Sequence, residues 1–195
     1  MVTVNSQLVF ETRYDNGRLR FSAGYSNGQL DGECESRLAN GDLESEGLYK
    51  EGKRVGKWTI AIPDEASKIY LVANFVNDVK SGPAEIVNKR GFKLAGGQYV
   101  NDQRQDLWKE NDPVNQTTST GHYDHDVKVG RWLVSDSRRG RKLRYINYDH
   151  NGDMIAIIDL TTQWSFFVNC NNWHQLGWCC NMRLQEFIFV VSTVM

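Results

Sequence analysis

Residues 47–58 read Gly-Leu-Tyr-Lys-Glu-Gly-Lys-Arg-Val-Gly-Lys-Trp, and weaker copies of this stretch recur along the chain. The copies align on an aromatic residue that recurs at successive spacings of 24, 26, 24 and 24 residues. We call these residues the first ladder, and the residues nine positions after them the second ladder. The first ladder is Tyr25, Tyr49, Phe75, Tyr99 and Tyr123; the second is Cys34, Trp58, Ala84, Trp108 and Trp132. This period, sustained over five copies, predicts a repeat architecture.

Turn-forming residues divide each repeat into two strands. Asn-Gly pairs are strong hairpin signals, and with weaker turn signals they punctuate the chain every 11 to 14 residues. The segments between the turns alternate apolar and polar residues, as in Arg18-Leu19-Arg20-Phe21. The sequence therefore predicts an all-β fold, an elongated twisted meander of stacked antiparallel β-hairpins. We expect an N-terminal strand or cap in residues 1–13, the hairpin array in 14–154 and an apolar C-terminal cap or interface segment in 155–195.

The two ladders are best explained by packing. A single hairpin is marginally stable in water, because nothing covers its apolar face. Stacked hairpins bring the aromatic residues of successive repeats together, and each buried ring contributes about 1.5–3 kcal/mol. We therefore interpret both ladders as structural residues and not as ligand-binding ones. The third repeat has Ala84 where Trp is usual, so we expect it to be the weakest.

The pattern G-x-Y-x-x-G-x-x-x-G-x-W resembles the MORN repeat, and the stretch 47–58 is similar to bacterial MORN-like proteins of the YwqK antitoxin family. The resemblance covers roughly residues 14–152. The chain departs from the pattern where Asp replaces the usual Gly, and Asp tolerates turns better than most residues. These departures are Asp78, Asp102, Asp106 and Asp126. The resemblance implies a non-enzymatic, antitoxin- or immunity-like bacterial protein whose partner is another protein, such as a toxin.

Composition excludes several classes of function. The net charge of -1 provides no general attraction to nucleic acid, so no nucleic-acid partner is expected. The first residues show no secretory signal and no apolar run is long enough to span a membrane, which together favour a cytoplasmic protein. The common catalytic and cofactor-binding motifs are absent, so we predict neither an enzyme nor a cofactor.

One segment is strongly basic. Five positive charges fall within residues 138–144, and two more lie nearby in the sequence. The five are Arg138, Arg139, Arg141, Lys142 and Arg144; the two are Lys128 and Arg131. Such a patch could bind phosphates, acidic lipid headgroups or an acidic protein, and the alternative is a solvated hairpin tip. A MORN-type scaffold that binds acidic membrane lipids through this patch is therefore the second functional hypothesis.

The C-terminal 41 residues have a different composition, with only three charges. They contain Trp164, Trp173 and Trp178, which are candidate binding residues if the segment is a partner or homo-oligomer interface. The alternatives are a cap on the end of the array and a non-native extension. An effector enzyme with its site in this segment is the third functional hypothesis.

Two clusters resemble metal sites. Cys170, His174, Cys179 and Cys180 lack the C-x-x-C spacing of a zinc site, so reduced thiols without a metal are favoured. The run His122-Tyr123-Asp124-His125-Asp126 alternates its side chains between two faces of a strand, and a solvated turn is the preferred interpretation.

Overall fold

The computed structural model describes residues 8–63, 68–162, 164–167 and 182–183. All the regular structure among these residues is β-strand, which confirms the predicted all-β class. The chain divides into two compact units, residues 1–103 and 104–195.

Unit 1 is a meander in which each described strand pairs antiparallel with the next. Its strands are β1 (Leu8–Arg13), β2 (Leu19–Ser26), β3 (Gln29–Arg37), β4 (Leu43–Lys50), β5 (Lys53–Ile62), β6 (Ile69–Val76), β7 (Val79–Asn88) and β8 (Lys93–Val100).

Unit 2 follows the same antiparallel order, from β9, which begins at the last residue of unit 1. Its strands are β9 (Gln103–Asp112), β10 (Thr117–Asp124), β11 (Val127–Asp136), β12 (Lys142–Tyr148), β13 (Met154–Asp159), β14 (Trp164–Phe167) and β15 (Met182–Arg183). The predicted hairpin meander is therefore confirmed within each unit. Of the apolar segment 155–195, the structure describes the end of β13, the turn after it and the backbones of β14 and β15.

Tight two-residue turns join the two strands of each repeat. Both central residues have positive φ, the conformation that type I′ hairpin turns require. These pairs are Asn27-Gly28, Glu51-Gly52, Asn77-Asp78, Asn101-Asp102 and His125-Asp126. Three of the four Asp residues that stand where the repeat pattern has Gly therefore lie in tight turns. The fourth, Asp106, also has positive φ, at 60°.

The opposite ends of the strands are closed by side-chain caps, in which an Asn or Asp Oδ1 accepts the backbone N–H two residues later. In unit 1, Asn16, Asn40 and Asn88 accept at 3.1, 2.9 and 3.0 Å. In unit 2, Asp112, Asp136 and Asp159 do the same at 2.9, 2.9 and 2.7 Å. Each of these six caps fixes its own loop locally.

The second-ladder Trp packs directly on a glycine of the preceding strand. In unit 1, the pairing of β4 with β5 shifts so that Gly47 faces the bulge that contains Trp58. A methyl group added at Gly47 would overlap the Trp58 indole, and the indole Nε1 donates to the Leu48 carbonyl oxygen at 3.1 Å. Gly121 and Trp132 repeat this arrangement in unit 2, where Nε1 donates to the His122 oxygen at 3.2 Å.

Where the second ladder has a small residue, the residue opposite is larger than Gly. Ala23 pairs with Cys34, and Ala73 pairs with Ala84. All four are buried. A Trp is therefore opposed by Gly, and a smaller second-ladder residue is opposed by Ala. In both cases the space between the two strands is filled.

The two ladders interleave, so that rings from both form a single stack. In unit 1, Trp58 makes edge-to-face contacts with Tyr49 and Phe75 at centroid distances of 4.9 and 6.3 Å. In unit 2, Tyr123 lies between Trp108 and Trp132 at 5.9 and 5.3 Å. Trp58, Trp108 and Trp132 are at most 2% exposed. Of the first ladder, Phe75 and Tyr123 are buried, whereas Tyr25, Tyr49 and Tyr99 are half-buried.

Trp108→Ala should lower the free energy of unfolding by about 3–5 kcal/mol, because it removes a fully buried indole and leaves a cavity. The matched control is Leu107→Ala, since Leu107 is the adjacent residue and is 56% exposed. Chemical denaturation of the two variants and the wild type measures the difference. Equal stability of the two variants would show that Trp108 contributes no packing energy.

Candidate functional site

An aspartate in the tight turn of the third repeat holds the preceding repeat. The Asp78 Oδ1 accepts the Arg54 backbone N–H at 3.0 Å and the Arg54 Nε–H at 3.2 Å. The Asp78 backbone N–H donates in return to the Arg54 carbonyl oxygen at 3.1 Å. We call this arrangement the turn clasp. It joins residues 24 positions apart in the sequence, so it locks one hairpin to the next.

Two further clasps have the same form. In unit 1, the Asp102 Oδ1 accepts the Lys80 backbone N–H at 3.0 Å, and the Lys80 ammonium lies 3.8 Å from the same oxygen. In unit 2, the Asp126 Oδ1 accepts the Arg104 backbone N–H at 3.0 Å and its Nε–H at 2.8 Å. The sequence signal is an Arg or Lys followed 22 to 24 residues later by a turn Asp. We did not predict the clasps, because the spacing alone does not place a turn beside the previous hairpin.

The clasp cations also cover the aromatic stack. The Arg54 guanidinium lies 4.4 Å from the Phe75 ring centroid, and the Lys80 ammonium lies 4.5 Å from that of Tyr99. In unit 2, the Arg104 guanidinium lies 4.1 Å from the Tyr123 centroid. Each cation therefore lies against a carboxylate and a ring face at the same time.

A polar network surrounds Tyr123 in unit 2. Its hydroxyl donates to the Glu110 Oε1 at 2.7 Å and accepts from Arg104 at 2.8 Å, while the Lys128 ammonium donates to the Glu110 Oε2 at 2.7 Å. Burial, followed by the hydrogen bond to Glu110, raises the pKa of Tyr123. The Tyr123 hydroxyl therefore stays protonated at neutral pH and acts as a bridge between charged groups.

The predicted basic patch separates into two groups. Lys128 is paired with Glu110 and lies 4.1 Å above the Trp132 ring, and the Arg131 guanidinium lies 4.9 Å from the Tyr145 ring centroid. These two cations contact the sheet. The other five, Arg138, Arg139, Arg141, Lys142 and Arg144, are exposed, and none of them forms an ion pair with a residue that the structure describes. These five residues span the loop after β11 and the start of β12, and we call them the basic loop.

The nearest carboxylate in the sequence is engaged by the backbone of the loop. The Asp136 Oδ1 accepts the N–H groups of Arg138 and Arg139 at 2.9 and 2.8 Å. The bond from Arg139, followed by that from Arg138, lowers the pKa of Asp136. Asp136 therefore shapes the loop and leaves its arginine side chains exposed to solvent.

One groove on the face of unit 1 opposite the aromatic stack is lined by more carboxylates than ammonium groups. Glu33 and Glu35 flank Cys34, Glu46 and Leu48 flank Gly47, and Lys57 precedes Trp58. Because side chains alternate along a strand, these flanking residues share the face that points away from the stack. With Ser22 they line a shallow groove of about 600 Å³. We call Ser22, Glu33, Glu35, Glu46, Leu48 and Lys57 the outer face.

The predicted solvated turn at 122–126 has an ordered set of hydrogen bonds. The Asp124 Oδ1 lies 2.6 Å from the His125 Nδ1 and accepts from the Gln105 amide at 3.1 Å. The hydrogen bond from Gln105, followed by that from His125, lowers the pKa of Asp124. The turn itself is His125 and Asp126, which are exposed; residues 122–124 end β10, where His122 is exposed and Tyr123 is 4% exposed.

Most candidates in the C-terminal segment lie outside the described residues. These are the candidate binding residues Trp173 and Trp178 and the candidate zinc ligands Cys170, His174, Cys179 and Cys180. For Trp164 the backbone alone is described. Within the described ranges, no group of three or more His, Cys, Asp or Glu side chains is placed to hold a metal ion. The same ranges contain no helix that could cross a membrane.

Comparison with known proteins provides no assignment. No protein-family model matches the chain, and no curated protein matches it. The resemblance to the MORN repeat therefore stays a prediction from the residues quoted above.

Asp78→Gly should remove the turn clasp while keeping a residue that accepts the positive φ of 72°. The bond from the Arg54 backbone, followed by that from its side chain, lowers the pKa of Asp78 in the folded state. The clasp therefore stabilises the fold fully above the unfolded pKa of about 4, and its contribution is lost as pH falls through the folded pKa.

The stability difference between wild type and Asp78→Gly should shrink as pH falls from about 6 to about 3, as measured by urea unfolding. Glu51→Gly, at a positive-φ turn position of the second repeat, is the control for the backbone effect. A difference that stays constant across this range would contradict a role for the Asp78 carboxylate.

Proposed function

We propose that this chain is a non-enzymatic protein-binding repeat module that sequesters a protein partner, in the manner of a bacterial antitoxin or immunity protein. The proposal includes a cytoplasmic location, which suits the free, buried thiol of Cys34. The resemblance to MORN-like antitoxins supports it, and so does the arrangement of the sheet.

The observation that carries the proposal is the contrast between the two faces of unit 1. On one face the rings are used in packing, with Trp58 and Phe75 at most 4% exposed. On the other, Glu33, Glu46 and Leu48 point to solvent, and Leu48 is 43% exposed. Such a surface suits a flat contact with another protein, because apolar and charged groups alternate across several strands.

The charge of the outer face indicates the kind of partner. It contains three carboxylates and one ammonium group; Glu35 is paired with Arg37, whereas Glu33 and Glu46 form no ion pair within the described part of the chain. An acidic surface accelerates association with a basic protein and disfavours acidic ones. We therefore expect a basic partner that covers Leu48 with an apolar group.

Affinity capture from the organism that encodes the chain, followed by reconstitution with the purified partner, tests the proposal. Glu46→Lys and Leu48→Ser should each raise the dissociation constant about tenfold, which corresponds to roughly 1.4 kcal/mol. Asp153→Lys and Val114→Ser make the same changes at exposed positions in unit 2 and should bind like wild type.

Sequestration has its own readout. Expression of the partner alone should arrest growth, and co-expression of the wild-type chain should restore it while the two outer-face variants restore it less. Failure to capture any stoichiometric partner contradicts a binding module. A partner that binds all four variants equally would place its site elsewhere on the chain.

The second candidate function is a scaffold that binds acidic lipid headgroups through the basic loop. The specific observation in its favour is that the five cations are exposed and form no ion pair with a described residue. Flotation with phosphatidylcholine vesicles, with and without phosphatidylserine, separates the candidates. Binding that needs the anionic lipid, weakens with salt and is lost in Arg138→Glu/Arg139→Glu would favour the scaffold. The third hypothesis, an enzyme in the C-terminal segment, rests on residues outside the described ranges.

A further inference from the structure

Strand β1 is paired on one side only within the described part of the chain, where its partner is β2. Its first three residues are apolar and exposed: Leu8 by 70%, Val9 by 66% and Phe10 by 52%. An exposed apolar edge strand presents backbone groups and side chains to any further strand.

Phe10 occupies a second-ladder position, because it lies 24 residues before Cys34, as Cys34 lies 24 before Trp58. Its contact with the following first-ladder ring has the expected form. The Phe10 and Tyr25 centroids are 6.2 Å apart with an interplanar angle of 82°, and those of Trp58 and Phe75 are 6.3 Å apart with an angle of 70°. Phe10 is therefore the second-ladder member of an aromatic stack.

Among the described residues, Phe10 has only half of the contacts that Trp58 has. Trp58 also rests on Gly47 and contacts the Tyr49 ring at 4.9 Å, both from the preceding strand β4. The structure describes no strand before β1 that supplies such a glycine and ring. This explains why Phe10 is 52% exposed while Trp58 is 2% exposed.

The neighbours of Phe10 differ from those of other second-ladder residues in a way that favours an added strand. Gly56 and Lys57 precede Trp58, and Gly130 and Arg131 precede Trp132, whereas Leu8 and Val9 precede Phe10. Apolar residues replace glycine and a charged residue at this edge, where the described part of the stack is incomplete. A further strand would bury them.

We propose that the outer edge of β1 binds an extended segment of a protein partner as an additional antiparallel strand. The segment has a glycine that lies against Phe10 and an aromatic residue two positions later that contacts its ring. The same pattern covers Trp58 within unit 1, where Gly47 lies against the indole and Tyr49, two residues later, contacts its edge. The inference rests on the proposed protein-binding function and gives it a recognition mode.

A synthetic peptide tests the site without the natural partner. The probe is a fluorescently labelled peptide with the sequence of β4, Leu-Glu-Ser-Glu-Gly-Leu-Tyr-Lys, added to the full-length chain. We expect saturable binding with a dissociation constant below ~1 mM by fluorescence anisotropy. Hydrogen exchange should show new backbone protection in residues 8–13.

Matched variants identify the contact. Phe10→Ala should weaken peptide binding at least tenfold and Phe10→Trp should strengthen it, while Leu107→Ser, an exposed apolar position in unit 2, should leave it unchanged. In the peptide, Gly47→Val and Tyr49→Ala should each weaken binding at least tenfold.

Absence of binding at ~1 mM peptide would overturn the proposal, and so would binding that ignores Phe10→Ala. Binding with protection confined to strands other than β1 would also overturn it. Because the assay uses no natural partner, its failure rejects the β1 site and leaves the proposed binding through the outer face to be decided by the capture experiment. Conversely, peptide binding alongside failed capture would retain the edge site and reject the outer face.

Discussion

The fold depends on the contact between an indole and a bare glycine backbone. Trp58 lies on Gly47 and Trp132 lies on Gly121, so closely that no Cβ fits between ring and strand. The glycine loses backbone entropy on folding, at a cost of about 0.5–1 kcal/mol. Burial of an indole and its edge-to-face contacts exceeds that cost, because a buried aromatic contributes about 1.5–3 kcal/mol and ring pairing about 0.5–1.5 more. The repeats that contain Trp58 and Trp132 thus obtain a small apolar core between two strands.

The charged residues at the tight turns depend on this stack. Once the rings are aligned, Arg54 and Arg104 lie over the rings of Phe75 and Tyr123 and reach the turn aspartates of the next repeat. The cations are held at the tight-turn ends of the strands, and the carboxylates and Leu48 of the outer face stay in solvent. Packing on one face therefore determines which residues are available for recognition on the other. It also leaves Phe10 half covered at the edge of unit 1.

The sequence predicted the period, the strands and the turns, because each depends on local residue types. The pairs Asn27-Gly28 and Glu51-Gly52 form tight turns where the spacing placed them. The interleaving of the two ladders was not predicted, since it follows from the bulge that brings Trp58 over Gly47. Lys128 was grouped with the basic run by its position near residues 138–144, yet it bonds Glu110 and covers Trp132. Which carboxylate a Lys or Arg side chain pairs with depends on how the strands lie in three dimensions. A repeat pattern in the sequence does not contain that information.

A double-mutant cycle at the third repeat tests the central contact most directly. Ala73 and Ala84 face each other and are both buried, so Ala84→Trp alone should destabilise the fold by overlap with the Ala73 methyl group. Adding Ala73→Gly should recover that loss and raise stability above wild type by about 1–3 kcal/mol, because the new indole meets Phe75 in a complete stack. The free energy of unfolding in urea measures all four proteins. If the two substitutions prove additive, with no coupling between them, the glycine is not what seats the indole and the account is wrong.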